Sequence, residues 1–292
     1  GGCGIDIKMQ IKLSNLDLSS PAAIRALATL HAQLARTSAQ HIVLDCAQLT
    51  WLDASLCAPL EALLVAAKAR LNTVEFINLT YKIQGTLCRS GLLTRYGYAI
   101  VPDARRTAIP LARFASNDTQ LHTQAAQWMS HEALPKMTAA VRKLLTDSVS
   151  ELFTNASEHA EAALGIFTCG QYFPQKNQLL FALSDTGIGI PQRVRSQASN
   201  ASMTDQAAIK WALAGNSTRK DIPGGAGLEV LQHFIQLNKG ALWLASGSQV
   251  MTYSPSHHVS QGSAVKQFSV SSQPMLGTTF VLQINTADAS AY

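Results

Sequence analysis

The spacing of apolar positions divides the chain into segments. Ile42-Val43-Leu44 forms a short apolar run ended by Asp45, followed by a turn near Asp53 and a helix running through Glu61–Arg70 that stops before Asn72. Val74–Leu79 reads as a second strand and Ile83–Leu92 as a second helix closed by Gly91, a βαβα order that calls for a sheet with helices packed on it. Pro102, the residues after it and Pro110 break the periodicity, and 114–120 is polar enough for a loop. Helical spacing returns from Gln124 to Leu145 and continues as the stripe Val149, Leu152, Phe153 and Ala156. Apolar strands are expected up to Leu183 and over Phe280–Ile284, and alternation at Val265–Val270 predicts one more inside the Ser248–Pro274 stretch. The reading is an α/β chain with a first domain over 9–101, a linker over 102–124 and a second domain over 125–286; 292 residues suffice for two cores.

Candidate chemistry concentrates in the second domain. Asp185-Thr186-Gly187-Ile188-Gly189 follows an apolar strand, so the Asp185 carboxylate can accept a hydrogen bond from an adenine amino group while Gly187 and Gly189 admit close backbone approach. Glu151, Asn155 and His159 fall at i, i+4 and i+8, on one face of a helix. Gly224-Gly225-Ala226-Gly227 runs into an apolar-periodic segment, which puts free amides at a helix N-terminus where phosphate oxygens can meet them. Arg219 and Lys220 precede those glycines as either phosphate contacts or solvated loop charges, and Gly277-Thr278 opens the last strand. His257-His258 reads as surface, since no cysteine or carboxylate cluster joins it.

In this order the four elements resemble the N, G1, G2 and G3 boxes of the gyrase, Hsp90, histidine kinase and MutL (GHKL) ATPases, over residues 125–286. The resemblance implies a Bergerat-fold α/β sandwich that binds ATP and Mg²⁺. It makes Glu151 the general base, Asn155 the Mg²⁺ ligand and Asp185 the adenine contact, with Thr278 nearby through a water. It also implies that Gly224, Gly225 and Gly227 belong to a lid closing on the phosphates, with Arg219 and Lys220 beside it. The chain departs from the family pattern in the Ser248–Pro274 stretch, where a short hairpin is usual.

In the first domain, Asp53-Ala54-Ser55-Leu56 at a strand-to-helix turn resembles the STAS domain of anti-sigma-factor antagonists, whose usual D-S-S-G-L carries a phosphorylated second serine. Ser55 falls on that position, although Ala54 and Leu56 replace the flanking Ser and Gly; an ordinary helix cap is the competing reading.

Composition narrows the function classes. Hydrophobic residues make up 47% and charged residues 14%, against disorder, and the +5 net charge comes without a run of cations, which disfavours nucleic-acid binding. No apolar run reaches the ~20 residues of a membrane span. Five scattered cysteines read as free thiols of a cytoplasmic protein, and Gly1–Lys8 ahead of Met9 as an expression remnant outside the fold. The expected function is an ATP-Mg²⁺-binding regulatory protein, an ATPase or serine kinase of the anti-sigma type with an in-chain STAS module and a regulatory protein partner. The alternative is a non-catalytic nucleotide-dependent switch or scaffold. A homodimer fits the kinase branch, whereas a sensor kinase acting on histidine is disfavoured because no dimerisation helix pair carries a phosphoacceptor.

Overall fold

The computed structural model describes residues 8–18, 21–116, 139–159, 161–216, 226–255 and 264–286. Strands β1 (Lys8–Lys12), β2 (His41–Asp45) and β3 (Thr73–Ile77) form a parallel sheet in that order. Parallel neighbours require crossovers, supplied by helices α1 (Ala22–Ala35) and α2 (Cys57–Lys68). Helix α3 (Tyr81–Arg89) follows, opened by the Thr80 hydroxyl accepting from the Ile83 amide.

The second sheet has seven antiparallel strands. They are β4 (Ala108–Phe114), β5 (Ile166–Phe173), β6 (Gln178–Asp185), β7 (Ala241–Ser246), β8 (Gln249–Pro255), β9 (Ala264–Val270) and β10 (Thr278–Asn285), in the order β4-β5-β6-β10-β7-β8-β9. Helices α4 (Ala139–His159), α5 (Ile190–Arg195), α6 (Asp205–Leu213) and α7 (Ala226–Asn238) complete the described elements.

Both faces of this sheet are covered. Leu179, Phe181 and Leu183 of β6 pack with Phe280 and Leu282 of β10 against Val149, Leu152 and Phe153 of α4 and Leu231, Phe234 and Ile235 of α7. The alternate positions Leu180, Ala182, Trp243 and Val281 join a different core, shared with α1, α2 and the three-stranded sheet. Burial on both sides explains why the central strands read as continuous apolar runs without alternation. Helix α2 lies between the sheets, and ten of its twelve residues are buried. One is Glu61, whose carboxylate accepts from the Tyr96 hydroxyl at 2.8 Å and lies 3.7 Å from Arg95. Burial pushes this carboxyl up, against the pull of Tyr96 and Arg95.

Three expectations change. Lys8, placed outside the fold, opens β1 and pairs with His41 of β2. The 102–124 linker contains β4, which carries Pro110 and is tolerated because β4 is an edge strand that leaves one row of backbone groups outside the ladder. The Ser248–Pro274 stretch holds β9 as expected, but β8 joins it in a pairing that extends the sheet by two strands. The four described cysteines are free and buried, and burial pushes the Cys46 thiol up to about 12, far from thiolate reactivity. Among the described residues no helix is long and apolar enough to cross a membrane.

Candidate functional site

Because Leu179, Phe181 and Leu183 face the helical layer, strand alternation brings Asp185 out on that same side, at the end of β6. Its buried carboxylate accepts from the Gly187 amide at 2.8 Å and from the Thr278 amide. Burial raises its pKa to about 7, with the two amides pulling the other way. Thr278 occupies this place because Gly277 turns the chain at φ +58°; a methyl there would overlap the Asp185 carbonyl and carboxylate. Gly189 is equally constrained, at φ +78°, with its Cβ position 2.9 Å from Ser246 Oγ.

Ser246 ties three segments together. Its hydroxyl donates to the Gly277 carbonyl at 3.2 Å, accepts from the Ile190 amide at 2.9 Å and shares a 3.0 Å bond with the Thr278 hydroxyl. Behind it, Asp205 accepts from the Ser248 amide and hydroxyl at 2.8 Å and from Arg195 at 2.7 Å. Partial burial opposes ionisation there, but these donors hold the Asp205 carboxyl below its ordinary range. The turn after β6, the start of α5 and the β7–β8 turn are therefore one hydrogen-bonded unit.

Two helices converge on the same end of the sheet. The last turn of α4 leads within a few residues to Ile166, which pairs with Asp185; Glu161 in this connection lies 3.3 Å from Arg193, and the Leu164 amide donates to the Thr186 hydroxyl. Glu151 and Asn155 are half-buried on α4, beside the buried stripe. At the opposite end of the sheet, Asn238, the last residue of α7, bonds Asn285, the last residue of β10. With 1.5 Å of rise per residue, the thirteen residues of α7 run back about 20 Å toward the Asp185 end. Its first turn, which includes Gly227, thus lies toward the end where Asp185 sits.

The structure brings Asp185, Gly187, Gly189 and Thr278 into one turn cluster, and puts Asn155 and Gly227 on the helices directed to that end. Arg219, Lys220, Gly224 and Gly225 lie outside the described residues, as do His257 and His258. His159 ends α4, and its side chain is likewise outside the description. The Thr278 hydroxyl bonds Ser246 while its backbone amide holds Asp185. Among the described residues no group of three metal-ligating side chains occurs.

Ser55 is not the helix cap that the sequence offers as one reading of it. It lies in a single 3-10 turn (Ala54–Leu56) ahead of α2, is fully buried, and its hydroxyl caps nothing and has no partner among the described residues. Asp53, which begins that turn, accepts from the Leu18 amide at 2.8 Å and from the Trp51 indole at 3.4 Å. The sequence reading missed Ser246 as a site residue; its signal is a polar residue closing the otherwise apolar run Ala241–Ala245 before Gly247. A scan against protein-family models and a search of curated proteins both gave no match to this chain.

Proposed function

We propose that the 125–286 region binds ATP with Mg²⁺ in a GHKL-type Bergerat fold and that the chain acts as a nucleotide-dependent regulator of the anti-sigma serine kinase type, with a STAS-like module in the same chain. One observation carries the reading: a buried carboxylate, Asp185, is fixed by two amides at a strand end toward which a helix N-terminus and the Glu151–Asn155 helix are both directed. In this account Asp185 accepts from the adenine amino group and the amides at the start of α7 receive phosphate oxygens. Asn155 would hold Mg²⁺, whose chemistry is to neutralise charge on the phosphates. Glu151 would take the proton from the attacking water or hydroxyl.

A switch without phosphoryl transfer is the second reading, and the burial of Ser55 favours it over self-phosphorylation. Ser55 is fully buried in a turn packed on β5 and β6, so transfer to it requires that turn to open. Incubation with γ-labelled ATP and Mg²⁺, followed by phosphopeptide mapping, separates the two. Label or released phosphate that disappears in Glu151→Ala supports an enzyme; bound nucleotide with no turnover in wild type supports the switch. Label on Ser55 that is lost in Ser55→Ala would identify the in-chain acceptor.

A further inference from the structure

A cleft of about 910 Å³ opens between the two halves of the chain. Its walls are the turn Trp51–Ala54 and helix α3 on one side, and residues 102–107 and the β5–β6 hairpin on the other. Four cations, Lys82, Arg89, Arg105 and Lys176, line it with one acid, Asp103, and Lys176 also interacts electrostatically with the Asp53 carboxylate beside the cleft. Asp103 does not neutralise them through a close pair: its carboxylate accepts from the Thr107 and Ala108 amides at 2.6 and 2.7 Å and so shapes the loop. Aromatic rings position two of the ammonium groups, Lys82 at 4.4 Å from the Trp51 ring and Lys176 at 5.7 Å from Phe173. Lys82, Thr86 and Arg89 share one face of α3, three and four residues apart, so their side chains reach the cleft together.

We propose that this cleft is an anion-binding site for a small, multiply phosphorylated molecule, held by Lys82 and Arg89 from the first domain and Arg105 and Lys176 from across the junction. The volume is that of a small-molecule site, and four convergent cations against Asp103, already committed to backbone amides, and Asp53, which faces Lys176, leave net positive charge for phosphate to match. Because the cations come from both sides of the junction, the bound anion links the halves, and its binding free energy adds to the stability of their packing. The inference stands apart from the nucleotide site: the cleft touches neither Asp185 nor α4 nor α7.

The test uses inorganic tripolyphosphate, without added metal, titrated into the full chain by calorimetry at low and moderate salt. Wild type is compared with Lys82→Ala/Lys176→Ala, with Arg219→Ala/Lys220→Ala and with Arg36→Ala, an exposed cation on the far end of α1. The expected result is one saturable site, at least tenfold weaker in Lys82→Ala/Lys176→Ala, unchanged in the other two variants and weakening steeply with salt. Trp51 adds a local readout: a fluorescence change on binding that is lost in Trp51→Phe. Lys82, Lys176, Arg36 and Trp51 are exposed, so their replacement keeps the fold. Absence of saturable binding, or equal losses in Arg36→Ala and Lys82→Ala/Lys176→Ala, overturns the proposal; loss only in Arg219→Ala/Lys220→Ala assigns the phosphates to the nucleotide site instead.

Discussion

Asp185 holds a proton up to about pH 7 in the folded chain, whereas in the unfolded chain it ionises near 3.8. The folded state therefore binds the extra proton between those values, and this residue's contribution to stability falls as pH rises through that window, levelling off above it. Asp185→Asn removes the effect, and at pH 8 it relieves a cost of up to about 4 kcal/mol, read as a higher melting temperature than wild type that vanishes near pH 4. In the proposed site the same proton would oppose adenine recognition. ATP affinity in wild type should rise roughly tenfold from pH 6 to pH 8, with proton release at the lower pH measurable in buffers of different ionisation enthalpy. At Ser55 the prediction has the opposite character. Ser55→Ala removes a buried hydroxyl that has no partner among the described residues and should stabilise by about 1 kcal/mol, while Ser55→Asp buries an unpaired charge and should destabilise by several kcal/mol in denaturant titrations.

At the scale of elements, the entry to β10 is the most constrained point. Gly277→Ala forces a left-handed alanine, at about 1–2 kcal/mol, and drives its methyl into Asp185, so it should weaken ATP binding while Gly247→Ala, at another left-handed turn outside the Asp185 cluster, should affect binding less than stability. Strong apolar runs made most elements legible in the sequence: β6, β10 and the stripe on α4 lie where the pattern puts them. The helix expected to start after the Asp53 turn and run through Glu61–Arg70 begins at Cys57, with Pro59 comfortable in its first turn, and ends at Lys68. Two losses have physical causes. In β4, Pro110 and a register shift between Ile109 and Ala112 mimic a linker, and only its position at a sheet edge makes the strand possible. In α1, Ile24, Leu27, Leu30 and Leu34 keep helical spacing, but the helix starts without a side-chain cap to mark it. Of the site, Asp185 and its glycines were legible as local turn chemistry. Ser246 was not, because its role arises from β7 pairing with β10, far away in the chain.

For the whole molecule, the shared core is decisive. Helix α2 fills the space between the two sheets, and the face of the seven-stranded sheet formed by Phe167, Leu180, Ala182, Trp243 and Val281 belongs to the same apolar cluster as α1 and the parallel strands. Heat should therefore unfold both halves in one transition, seen as coincident near- and far-ultraviolet dichroism curves; two resolved transitions would mean that the α2 contact contributes little. This packing also gives the Asp185 end of the sheet a mechanical connection to Ser55, since β6 carries the Asp185 turn and β5 and β6 pack on the Ser55 turn and α2. The most direct test of the central claim is the equilibrium binding of ATP with Mg²⁺ to the full chain and to Asp185→Ala. The account predicts saturable binding of one nucleotide per chain, weakened at least a hundredfold by Asp185→Ala with the fold retained by circular dichroism. Equal affinity in the two proteins, or no saturable binding in wild type, would contradict it.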